Sequence, residues 1–127
     1  MKNAGFKELR GYQLAYELSL TIHQITKNFP REERWSLVDQ IRRSSRSVCA
    51  NIGEGYRNRQ YPKNFAKKLS VSNGESTETQ IWLDYSKDFG YISEELHEEL
   101  YSKYESVGNM LGTMIAHPER FAPRTKG

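Results

Sequence analysis

Apolar residues return at helical intervals along nearly the whole chain, and nowhere do they alternate as a convincing strand would. Leu14, Leu18, Ile22, Ile25 and Phe29 follow at steps of 4, 4, 3 and 4, which predicts a helix from Glu8 to Asn28 with one core-facing stripe. Phe29-Pro30 ends it, because a residue before proline is pushed out of the α region. Pro30 then suits the start of a second helix, Arg31 to Tyr56, with Glu32 and Glu33 in its first turn and Leu37, Ile41, Ser44 or Ser45, Val48 and Ile52 as its stripe. A third helix is predicted from Pro62 to Phe89 on Phe65, Leu69, Ser72, Ser76, Thr79 and Leu83. Its middle, SVSNGEST, is poor in strong helix formers, but the spacing continues through it unbroken. Gly90 suits a helix stop. Ser93 is placed as the N-cap of a fourth helix, Ser93 to His117, with Glu94 and Glu95 in the first turn. Its stripe is Leu96, Leu100, Tyr104 or Lys103, Val107, Leu111 and Met114.

Four helices joined by short links predict an all-α, antiparallel, up-down-up-down four-helix bundle. At 1.5 Å rise per residue it would be about 30–40 Å long. The 127 residues suit one domain, here a bundle over residues 1–117 followed by a loosely ordered tail at 118–127.

Several helices carry more apolar surface than a monomeric bundle uses. Tyr12, Tyr16, Ser19 and His23 recur at steps of 4, 3 and 4, roughly opposite Leu14 and Leu18. Val71, Trp82, Tyr85 and Phe89 lie off the third helix's core line. Aromatic second faces are what a subunit interface needs, so Tyr12, Tyr16, His23, Trp82, Tyr85 and Phe89 are the candidate contacts of a homo-oligomer. The plainer alternative is a half-covered rim.

Charge changes the picture further. The net charge of +3 conceals +8 over residues 1–68 and −5 over residues 69–127. This split suits a polyanion partner. It suits equally a basic surface docking on an acidic one in a neighbouring subunit or another protein. Within LVDQIRRSSRSVCANIGEGYRNRQY, a polar line of Gln40, Arg43, Ser47, Asn51 and Glu54 runs to one side of the core line. Gln40, Arg43, Asn51 and Glu54 are the candidate members of a structural polar network. Arg43 and Glu54 are three turns apart, about 16 Å, so their partners must lie on other helices or subunits. Ser44, Ser45, Ser47, Ala50 and Gly53 are small enough for a neighbouring helix to come close. Arg42 and Arg46 lie to the other side of the core line and are expected to be free. With Arg57, Arg59, Lys63, Lys67 and Lys68 they form a candidate phosphate-contacting set, and Tyr56 and Tyr61 are placed to stack on bases. A solvated charged face is the equally open alternative.

FPREERWSLVDQIRRSSRSVCANIGEGYRN, with NFAKKLSVSNGESTETQIWL and FGYIS, resembles the four-helix-bundle proteins encoded by intervening sequences of bacterial large-subunit ribosomal RNA genes. That group is similar to the accessory variability proteins of diversity-generating retroelements. The resemblance runs from Phe6 to Ile115, and its matching positions are Phe29-Pro30, Gln40, Arg42, Arg43, Asn51, Glu54, Gly55 and Phe65. It implies an antiparallel bundle and a homopentameric barrel with a basic surface. For retroelement members it implies nucleic-acid binding and association with a reverse transcriptase. Cys49 stands where the family often has proline, and Ser44-Ser45 stand where alanines are usual.

Other chemistry is not supported. Cys49 is the single cysteine, so an internal disulfide is excluded, and its apolar neighbours read as packing. Glu94-Glu95-Leu96-His97 supplies one Glu-x-x-His, half of a di-iron ligand set, in a turn where acids are expected anyway. No phosphate-binding loop or nucleophile constellation is visible, so no cofactor, metal or catalytic residue is assigned and the protein is not expected to be an enzyme. No signal peptide or membrane span is recognisable, and a cytoplasmic location without membrane contact is the expectation. The leading reading is a homo-oligomer, pentameric by resemblance, that binds RNA or DNA with little sequence preference. The alternative is a protein-interaction scaffold with charge-complementary subunit contacts and no nucleic-acid role.

Overall fold

A computed structural model describes residues 5–123. The described residues are helical, with α1 at Arg10–Thr26, α2 at Leu37–Arg57, α3 at Pro62–Asp88 and α4 at Glu94–Ala116. Short 3-10 turns stand at Phe6–Glu8, Arg31–Glu33 and Pro118–Phe121. Each long helix packs on two others, α1 and α3 being diagonal, as are α2 and α4. Cross-helix pairs fix the directions. Thr26 meets Arg42 while His23 meets Arg46 across α1 and α2, Arg43 meets Glu78 while Glu54 meets Lys68 across α2 and α3, and Ser76 meets Tyr104 while Asp84 meets His97 across α3 and α4. The bundle is therefore antiparallel, up-down-up-down.

The stripes of α2 and α3 are buried as their spacing requires, from Leu37 to Ile52 and from Phe65 to Leu83. The helix through SVSNGEST is continuous. Its inward hydroxyls are spent inside the seams, Ser72 donating to the Val48 carbonyl at 2.8 Å and Ser76 to the Tyr104 carbonyl at 3.4 Å, while Ser70 and Thr77 face outward. In α4 the core position is Tyr104, not Lys103. The α1 stripe is displaced from the expected one. Ala15, Leu18, Ile22 and Thr26 are buried, while Leu14 and Ile25 are only half covered.

Helix ends explain the remaining differences. α2 begins at Leu37 rather than Arg31, because Ser36 adopts φ −127° and ψ −97°, off the helical path. The Glu33 carboxylate accepts from the Ser36 hydroxyl at 2.7 Å and weakly from the Leu37 N–H at 3.4 Å, which caps the new start. Pro30 therefore opens a 3-10 turn and not the second helix itself. α3 stops in a Schellman arrangement. Gly90 takes φ 81°, its N–H reaches Lys87 O at 2.9 Å, and the Tyr91 N–H reaches Ser86 O at 2.8 Å. Ser93 caps α4 by accepting from the Leu96 N–H at 3.0 Å. Within the segment expected as a loose tail, the Pro118–Phe121 turn sets Phe121 6.0 Å from the Phe65 ring; residues 124–127 lie outside the described residues.

Candidate nucleic-acid interface

The α2–α3 link and the α1 start share one end of the bundle. Arg57, Lys63 and Lys67 are exposed there, as is Tyr61. The Arg59 guanidinium lies 4.1 Å from the Tyr56 ring centroid and donates to the Tyr56 carbonyl at 3.1 Å, so Tyr56 is already covered on one face. Arg57 sits 5.5 Å over the Phe6 ring. Among the described residues no carboxylate lies within ion-pairing distance of Arg46, Arg57, Arg59, Lys63 or Lys67. Exposed Lys7 and Arg10 stand at the same end and were missed in the sequence, where they are isolated in the first ten residues. α1 and α3 both begin here, with no acid in the first turn of either and no side-chain cap. The C-terminal ends of α2 and α4 lie here too, so the helix dipoles largely cancel and the positive charge is that of the side chains, against the acids Glu8 and Glu119.

Three of the expected phosphate contacts are placed differently. Arg42 is not free: its Nε donates to Thr26 Oγ1 at 2.8 Å and its Nη2 to the His23 carbonyl at 3.2 Å, because its side of α2 faces the C-terminal turn of α1. Arg46 is exposed, with Nη2 3.2 Å from His23 Nδ1. The Arg42, Lys27 and Arg46 charges lower the His23 pKa, Arg42 first and together with desolvation. Lys68 pairs with Glu54 at 2.8 Å.

The proposed polar network is instead three separate sets. Arg43 donates to Glu78 Oε2 at 2.9 Å, with Gln40 at a marginal 3.5 Å, and the same Glu78 oxygen accepts from Trp82 Nε1 at 3.1 Å. Asn51 bonds back to Ser47 O at 2.9 Å within its own helix, and Glu54 belongs to Lys68. Since α3 runs beside α2, it supplies the partners that one helix could not.

The aromatic second faces are real but uneven. Tyr16, Tyr85 and Phe89 are about half exposed, while Tyr12, Trp82 and His23 are half-buried and Ser19 is buried. The spacing analysis also missed Leu20, Ile81 and Trp35, of which Trp35 is 81% exposed. Ile81, Tyr85 and Phe89 form one outward row at steps of four on α3, and Tyr16 and Leu20 form another on the diagonal helix α1.

His97, the histidine of the Glu-x-x-His, has Nε2 2.7 Å from Asp84 Oδ1 on α3. Among the described residues no three His, Cys, Asp or Glu side chains cluster as metal ligands would. Likewise, no described helix is long and apolar enough to cross a membrane.

A family model described as 23S rRNA-intervening sequence protein matches residues 7–113. The chain belongs to that family. Among solved structures, the chain resembles a Bacteroides thetaiotaomicron VPI-5482 protein of unknown function from the S23 ribosomal protein family. The two are 24% identical with a TM-score of 0.74, over 84% of this chain and 95% of the other, a likeness of fold. No curated protein matches the chain.

Proposed function

We propose that this family member is a non-enzymatic, self-associating bundle that binds single-stranded RNA or DNA at the basic end. The observation that carries the reading is the grouping of Arg57, Arg59, Lys63 and Lys67, none of them paired to a carboxylate among the described residues, around exposed Tyr61. Cations whose charge is not neutralised internally release counterions when they meet phosphates, and an exposed tyrosine offers a stacking face to any base. Binding of this kind has little sequence preference and falls steeply with salt.

Self-association is supported by the two outward apolar rows. Because α1 and α3 are diagonal, the α3 row of one copy can meet the α1 row of the next, a heterologous contact of the kind that builds a ring when the rotation between copies closes. Five copies is the number the family resemblance implies.

The test is titration of a fluorescent single-stranded RNA at two ionic strengths, with particle mass measured by light scattering. Arg57→Glu, Lys63→Glu and Lys67→Glu combined should remove binding and leave the mass unchanged. Unaltered binding rejects the interface. Dissociation of the oligomer by the same substitutions supports the scaffold reading, in which the basic end docks on another subunit.

A further inference from the structure

The α1–α2 seam does not close along its whole length. Near the start of α1 it opens into a groove of about 480 Å³, a size typical of small-molecule sites. Its walls are aromatic. The Tyr12 and Tyr16 rings lie near-parallel with centroids 6.0 Å apart, and the Phe6 ring meets Tyr12 edge-on at 5.0 Å. Its base is made of small residues of α2, where Ala50 and Gly53 lie beside the Cys49 thiol. Phe6 leans over Gly53, where an added Cβ would stand 3.4 Å from its ring, an ordinary packing distance, so the aromatic wall lies close against α2.

The rim is charged unevenly. Arg46 and Arg57 both line the groove and neither has a carboxylate partner among the described residues. Glu54 also lines it, but its Oε1 is held by Lys68 at 2.8 Å, on the α3 side. The walls therefore reject water while the mouth carries surplus positive charge. Burial pushes the Cys49 thiol up to about 11, which fits an apolar groove base.

We propose that this groove is a binding site for a small aromatic or acyl carboxylate, with the apolar body between Tyr12, Tyr16 and Phe6 and the carboxylate at Arg57, whose guanidinium lies over the Phe6 wall. An arginine recognises a carboxylate by charge-assisted hydrogen bonds, and the stacked tyrosines offer a flat ring a face. Arg46, three turns away beside His23, adds only to the positive charge of the mouth. A neutral apolar compound would leave the Arg57 guanidinium without a carboxylate. A strongly hydrated anion such as inorganic phosphate would leave the aromatic walls unused. The site shares Arg57 with the proposed nucleic-acid surface, but Ala50→Trp fills the groove alone and Lys63→Glu with Lys67→Glu alters the surface alone, so either can fail without the other.

The test uses the full chain with 1-naphthoate as probe, and 1-naphthalenemethanol as its neutral counterpart, by titration calorimetry. Naphthoate should bind roughly tenfold more tightly than the alcohol, and Arg57→Gln should remove that difference. Ala50→Trp, at an exposed position that lines the groove, should abolish naphthoate binding with particle mass unchanged. Equal binding of acid and alcohol overturns the carboxylate assignment. Binding that survives Ala50→Trp places naphthoate elsewhere and overturns the site. A change of particle mass in Ala50→Trp makes the groove part of a subunit seam and overturns it as well.

Discussion

Arg42 Nε donates to Thr26 Oγ1 across 2.8 Å, joining the start of α2 to the last turn of α1. Thr26 is itself buried and passes its own hydroxyl proton to the Ile22 carbonyl at 2.7 Å. The pair is a structural tie, and its removal should act on stability. Thr26→Val keeps the shape and removes the acceptor, leaving a half-buried guanidinium short of one partner. A loss of about 1–2 kcal/mol in urea unfolding is expected, with RNA affinity unaltered. Wild-type stability would remove the tie from the account of the fold.

Glu33 supplies the pH dependence. Its Oε2 accepts from the Tyr91 hydroxyl at 2.7 Å and its Oε1 from Ser36, so one carboxylate holds the α1–α2 link to the α3–α4 link. The Ser36 and then the Tyr91 hydrogen bond lower its pKa from the ordinary 4.5. The unfolded chain therefore takes up the proton first as the medium is acidified. The stability from Glu33 is complete above the ordinary value and is lost as pH falls from there through the lower folded value. The stability difference between wild type and Glu33→Gln should be flat near neutrality and shrink below about pH 4.5. A difference that grows on acidification would reverse the sign and reject the assignment.

Two glycines should respond oppositely to the same substitution. At Gly112 on α4 an added Cβ meets nothing within 4 Å, so Gly112→Ala should gain about 0.5–1 kcal/mol from the helical backbone alone. At Gly55 the Cβ would stand 2.9 Å from the Lys68 Cβ, close to the α3 backbone, and Gly55→Ala should instead lose about 1–3 kcal/mol. Thermal unfolding of the two variants side by side is decisive, because a gain at both positions would mean that α2 and α3 are not in contact there.

Tyr104 is fully buried, and its hydroxyl finds no hydrogen-bond partner among the described residues. Desolvation raises its pKa strongly. Tyr104→Phe removes an unsatisfied polar group without changing the ring, so stability should stay level or rise by up to about 1 kcal/mol. A loss greater than that in urea would show that the hydroxyl is bonded in solution.

The parts of the fold written most plainly in the chain are those governed by periodicity. α3 is the clearest instance, since its unbroken Phe65-to-Leu83 spacing prevails over a weakly helical middle, the inward hydroxyls there being absorbed by tertiary bonds. What periodicity does not encode is where a long polar side chain turns. Arg42 and Arg46 share a face and are one turn apart, yet one is tied to α1 and the other is exposed. The late start of α2 depends on Glu33 reaching Ser36, a contact no hydrophobic pattern records. Gly53 and Ala50 read as small residues for a close helix approach. In the fold Phe6 covers the first, and the second is left exposed in the groove. The signal for the outer α3 row was present as Ile81, Tyr85 and Phe89 at steps of four, one residue removed from the Trp82 that drew attention instead.

The serine-rich seam between α2 and α3 also bears on how the molecule assembles. These two helices share the most extensive contact in the bundle and are joined by only residues 58–61. Closing so short a loop costs little chain entropy, so this hairpin is the natural nucleus onto which α4 and then the less embedded α1 dock. Amide protons in the middle of α2 and α3 should accordingly be the last to exchange with deuterium, and those of α1 among the first.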